Sequence, residues 1–161
     1  MTDVKFWHAK DAETIGRALI ADCKEFEGLE LFDIRFVHRS GTLAGEGCKV
    51  LANCRRLPGL PSALTQPGGL AETPDGPRAK PIPVYVIQIA EEVWSYADDA
   101  RRTALIHHEL SHISPVTGKI RVHTAEDFAS TAYRYGAWQA GLEQVVRAVQ
   151  LHDDEHRPEA T

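Results

Sequence analysis

Cysteine is scarce in this chain of 161 residues: Cys23, Cys48 and Cys54 make an odd count with no C-x-x-C pair. That excludes a disulfide framework and a cysteine zinc ribbon, and it fits reduced thiols. Long apolar runs are missing as well. No stretch approaches the roughly eighteen consecutive apolar residues of a membrane span, and Met1 to Lys5 do not lead into the apolar core of a secretory signal. The expectation is a soluble, cytoplasmic protein without a membrane partner. Charge of one sign is also lacking. Eighteen basic residues face 23 acidic ones, for a net charge of -5. Residues 151–161 hold one Arg against four acids, so the preceding body is near neutral and carries no strong nucleic-acid signature.

The remaining composition, 43% hydrophobic and 25% charged, is that of one globular domain with a single core. Ile15, Ala18, Leu19, Cys23 and Phe26 recur at helical spacing and predict a first helix over residues 11–26. Residues 31–39 and 48–56 alternate apolar and polar. The glycine-rich turn between them, 41–47, predicts that these two strands pair antiparallel. Seven of the nine prolines and four glycines crowd residues 57–83, which predicts a long loop without helix or ladder. Residues 84–89 form an apolar run broken only by Gln88, as expected of a strand covered on both faces. Ser95-x-x-Asp98 predicts the start of a second helix over 96–113, ended by Ser114-Pro115. Thr124-x-x-Asp127 opens a third, to about Val149, with glycine at 136 favouring a bend. Residues 151–161 have nothing to bury and read as a polar, flexible tail behind a domain of residues 1–150.

The chemistry is concentrated on the second helix, which carries H-E-x-x-H at 108–112. At 3.6 residues per turn His108 and His112 lie one above the other, so both imidazoles can reach one zinc ion. Glu109 is then held close to the metal without ligating it, placed to take a proton from the attacking water and return it to a leaving amine. A catalytic zinc takes three protein ligands and keeps one open position. Candidates for the third are His123, Glu126, Asp127, Cys48 and His38, with His123 favoured. The turn through Pro115 and Gly118 can bring its imidazole back just before the third helix. Glu126 and Asp127 suit the first turn of that helix or the outer support of a ligand. Tyr133, Arg134 and Tyr135 are candidate donors to an oxyanion, and His107 points about 100° away from the ligand pair.

The segment A-L-I-H-H-E-L-S-H-I, the short turn after it, His123-x-x-Glu126-Asp127-Phe128 and Tyr135-Gly136-x-Trp138 resemble the putative phage metallopeptidase family. The chain is more distantly similar to SprT-like zinc metallopeptidases, in which H-E-x-x-H is followed by a His-x-x-x-Phe-like motif. The likeness runs from about Phe32 to Val149. It implies a small zincin-like α+β domain with a sheet of three to four strands, an H-E-x-x-H helix and a long C-terminal helix. It also implies zinc on His108, His112 and His123, Glu109 as general base, and a protein or peptide substrate. Two alternatives stay open. One is a non-catalytic, phage-encoded module that works by binding a partner and keeps either no zinc or a structural zinc closed by a fourth protein ligand. The other is a deformylase-type hydrolase, because Glu46-Gly47-Cys48 is similar to the cysteine-ligand segment of peptide deformylases. That reading lacks the upstream glycine-rich segment and the aspartate before the last histidine.

Overall fold

A computed structural model describes residues 3–41, 43–44, 49–65, 82–123, 128–139 and 143. Its strands are β1 (Phe6–His8), β2 (Asp33–Arg39), β3 (Leu43–Ala44), β4 (Lys49–Val50), β5 (Ala52–Arg56) and β6 (Val84–Ala90). Its helices are α1 (Lys10–Asp22), α2 (Gly59–Thr65), α3 (Glu91–Trp94), α4 (Asp99–Ser111) and α5 (Ala129–Tyr135). The main sheet has the order β1-β2-β6-β5, with β2 and β6 parallel and both outer pairs antiparallel. The architecture is α+β, as expected. No helix among the described residues is long and apolar enough to cross a membrane.

The expected hairpin between residues 31–39 and 48–56 does not form, because β6 lies between β2 and β5. The short strands β3 and β4 pair instead with each other, Leu43 opposite Val50 and Ala44 opposite Lys49. Central placement suits β6: Tyr85, Ile87 and Ile89 are fully buried on one face. The expectation of full cover on both faces holds for that face only, since Val86 and Gln88 on the other are half-buried. A second difference lies in the proline-rich stretch. There α2 makes a seven-residue helix, with Pro61 in its first turn, where a missing N–H costs no intrahelical bond. Residues 66–81 of the predicted loop lie outside the described residues.

The buried face of the sheet runs across Ile34 and Phe36 on β2, Tyr85, Ile87 and Ile89 on β6, and Ala52 on β5. Both α1 and α4 belong to the core it forms. The first helix is shorter than predicted, ending at Asp22 with the 3-10 turn Lys24–Phe26 beyond it. It is also rotated. Its buried residues are Ala12, Gly16, Leu19 and Ile20, while Ala18 is exposed. The reason is a close approach: a Cβ at Gly16 would lie 2.3 Å from Cζ of Phe36, itself 1% exposed. Gly16→Val is therefore expected to destabilise the fold by about 2–3 kcal/mol through overpacking, read as a lowered denaturation midpoint in urea. An unchanged midpoint would show that helix and sheet are not packed this closely.

Beside the edge strand, buried His38 joins three elements. Its Nδ1 lies 3.1 Å from Glu91 Oε2 and its Nε2 3.3 Å from Asp11 Oδ1. Trp94 Nε1 donates to Asp11 Oδ2 at 2.6 Å. Burial alone would raise the Asp11 carboxyl, but hydrogen bonds from Trp94, the Ala12 amide and His38 outweigh it and hold the group below its ordinary value.

Candidate metal centre

The second helix starts three residues later than Ser95 suggested. Asp98 is its cap, with Oδ1 accepting from the Arg101 amide at 2.8 Å, whereas Ser95 closes α3 through Glu91. Every residue of α4 from Ala104 to Ser111 is buried. Four of these, His107, His108, Glu109 and Ser111, are polar, and polar groups taken out of water need partners. Ser111 Oγ donates to the His107 carbonyl at 2.8 Å. His107 is fully buried, with Nε2 2.6 Å from Glu25 Oε1 and Nδ1 3.0 Å from Thr131 Oγ1. The other histidine of the run, His108, faces a different set of groups.

A loop after α4 folds back on the helix end. Ile113 bridges Ile120, Ser114 N donates to Lys119 O at 3.0 Å, and Arg121 N donates to the His112 carbonyl at 2.7 Å. Arg121 Nε also reaches the Ser111 carbonyl at 2.9 Å. The turn is pinned from the sheet, where Tyr85 Oη and Arg56 Nη1 donate to the Gly118 carbonyl at 2.5 and 3.2 Å. Gly118 has φ 61°, and a Cβ there would lie 3.1 Å from Tyr85 Oη. Gly118→Ala is expected to cost about 1–2 kcal/mol for the left-handed backbone alone and to loosen the segment that delivers His123. Thermal unfolding of the metal-free protein checks it, and a midpoint equal to the parent's would contradict the pinned turn.

The result is a convergence of three rings. His123 Nε2 lies 3.0 Å from His108 Nε2 and 3.1 Å from His112 Nε2. Because a carbonyl can only accept, the 2.8 Å contact between His112 Nδ1 and Arg121 O places the proton of that ring on Nδ1. Burial lowers the His112 pKa to about 4, with neighbouring His108 and His123 also opposing protonation and the Arg121 carbonyl opposing the drop. The ring is thus neutral at pH 7, and its Nε2 presents a lone pair to the other two nitrogens. Phe128 packs edge-on against all three imidazoles, at 5.4, 4.9 and 5.2 Å between ring centroids. It is 7% exposed and keeps water from that side, while His123 faces solvent. Trp138 lies 5.6 Å from the His108 ring. Glu109 is 3% exposed on α4, and its carboxylate acts with burial to push the Cys54 thiol on β5 upward.

Of the residues singled out from the sequence, the fold brings together His108, His112 and His123. His38 is elsewhere, in the network with Asp11 and Glu91. Tyr135 packs on His107, 5.1 Å between centroids, Arg134 pairs with Glu25 at 3.5 Å, and Tyr133 is exposed. Glu126, Asp127 and Cys48 lie outside the described residues. So does much of the predicted third helix: α5 starts at Ala129, and Gly136, with φ 64° and ψ -149°, ends the helix rather than bending it. Phe128 and Trp138, which belong to the motifs of the family resemblance, are brought against the imidazoles by the fold.

The sequence model of the family described as "Putative phage metallopeptidase" matches residues 4–150. The chain belongs to this family. No curated protein and no solved structure matches it.

A phage metallopeptidase needs a metal, and two groups among the described residues offer three donors each, His108 with His112 and His123, and Cys23 with Glu25 and His107. They differ in chemistry. In the second group both His107 nitrogens already have protein partners, and Arg134 brings a positive charge to Glu25. The first is built from three imidazole nitrogens and holds no carboxylate or thiol. Tetrahedral zinc, with bonds of about 2.1 Å, spaces its ligand nitrogens roughly 3.4 Å apart, a few tenths of an ångström more than the spacing here. The first group therefore fits a metal of this family.

Proposed function

We propose that this protein is a zinc-dependent peptidase that hydrolyses peptide bonds at His108, His112 and His123. The observation that carries the reading is the meeting of three Nε2 atoms, with His112 held in the tautomer that leaves Nε2 bare. Zinc held there supplies a Lewis acid that polarises a carbonyl and makes water acidic near neutral pH. The chain does the rest. Glu109 accepts the proton of the attacking water on its carboxylate and passes it to the leaving amine. The Arg121 carbonyl orients His112, and Phe128 holds the three rings in place while excluding water from one side. Exposure of His123 leaves the opposite side open to a peptide, which favours catalysis over a closed structural zinc.

Metal analysis of the purified protein with an untargeted peptide-cleavage screen tests this reading. The expected result is one equivalent of zinc and cleavage that stops on chelation and returns with zinc. Bound zinc with no peptide cut under any condition would favour the non-catalytic module.

A further inference from the structure

A cavity of about 670 Å³ is lined by residues of α3, α4 and the stretch after α5, the three histidines not among them. Leu105 lies at its base, 4% exposed, three residues and about 4.5 Å of helix rise before His108 on α4. Val93 and Leu51 form two further walls, and Trp138 forms another while its ring packs against His108. Arg101, Glu92 and Glu143 bring the charges, and Tyr96 and Gln139 add polar groups at the rim. Trp138 is thus the wall that the cavity shares with His108. Its volume falls in the range of pockets that bury a ligand side chain. The part formed by Leu51, Val93, Leu105 and Trp138 is apolar and favours an apolar occupant there.

We infer that this cavity seats a large apolar side chain, of the Leu, Met or Phe class, belonging to the substrate residue next to the scissile bond. Leu51, Val93, Leu105 and Trp138 then determine specificity. The inference rests on the peptidase reading, because Trp138 and Leu105 place the occupant within one residue of a bond polarised at His108. Trp138 sets selectivity through contact area, and Val93 on α3 sets the depth.

Two measurements test it. In the first, zinc-loaded parent and Val93→Trp digest the same peptide mixture, and the cut sites are mapped by mass spectrometry. The parent is expected to prefer large apolar residues on one side of the bond. Val93→Trp, which fills the cavity, is expected to lose at least tenfold in kcat/KM on such peptides and to favour Ala or Gly, with zinc affinity unchanged. A parent indifferent to both flanking residues, or a Val93→Trp enzyme with the parental preference, overturns the inference and leaves the peptidase reading standing.

In the second, N-acetyl-leucinamide is titrated into zinc-loaded Glu109→Gln and followed by NMR. The methyls of Val93 and Leu105 and the Trp138 indole are expected to shift together. Shifts there from a parent that cuts nothing would keep an apolar pocket but overturn both the peptidase reading and the assignment of the pocket to a residue beside a scissile bond. No shift at these positions overturns the pocket, whether or not Val93→Trp folds. Self-association of the parent that Val93→Trp abolishes would assign the surface to a second copy of the chain and overturn it as well.

Discussion

Glu109→Gln is expected to bind zinc as the parent does, to unfold at a similar temperature, and to lose at least a hundredfold in kcat. An amide occupies nearly the same volume as the carboxylate, so the 3% exposed site keeps its packing. A neutral amide cannot accept the proton of the attacking water, and removal of a positioned general base costs roughly 10²–10⁴ in rate. The effect should appear in kcat more than in KM, since the proton moves only as the transition state is reached. Steady-state kinetics on a peptide found in the cleavage screen check it. Turnover equal to the parent's would remove Glu109 from the chemistry while leaving the metal site intact.

Much of the fold and site was legible because local patterns and burial agree. The run of apolar residues in β6 marked it as a well-buried strand, and Tyr85, Ile87 and Ile89 are fully buried. His108 and His112 needed only helical geometry, and a turn at Pro115 and Gly118 was enough to suggest His123. The failures have one cause, which is that non-local packing overrides local signals. Turn glycines predicted a hairpin joining β2 to β5, yet glycines fix only the few residues around a turn, and β3 pairs with β4 instead. A buried edge for β2 is worth more when filled by the apolar β6 than by the half-polar β5. Gly16 carries no apolar side chain and so escaped the helical stripe, although the ring of Phe36 occupies the space a side chain would take.

At the site, the parts that could not be read are those supplied by backbone or by distant aromatic groups. The partner of His112 Nδ1 is a main-chain carbonyl, which any residue at 121 could offer. The Tyr85 clamp on Gly118 links positions 33 residues apart, and the packing of Phe128 on three imidazoles depends on how α5 approaches α4. Tyr135 was a reasonable donor by its place on the following helix, but the helix turns it toward His107.

His123→Ala is expected to have the largest effect on the metal. It removes the solvent-facing nitrogen and leaves two donors on α4, so zinc affinity should fall about a thousandfold or more, equivalent to about 4 kcal/mol. The stability that zinc adds to the folded protein should fall with it, while the metal-free protein should unfold much as before. His38→Ala, by contrast, should leave zinc affinity alone and lower stability, because it breaks the link between Asp11 and Glu91.

The most direct test is zinc titration against a chromogenic chelator for the parent, His123→Ala, Glu126→Ala and Cys48→Ser. The account predicts a loss of about a thousandfold or more for His123→Ala, no more than about a hundredfold for Glu126→Ala, and no change for Cys48→Ser. Parental affinity in His123→Ala, with the loss falling on Glu126→Ala or Cys48→Ser, would contradict a centre built on His108, His112 and His123.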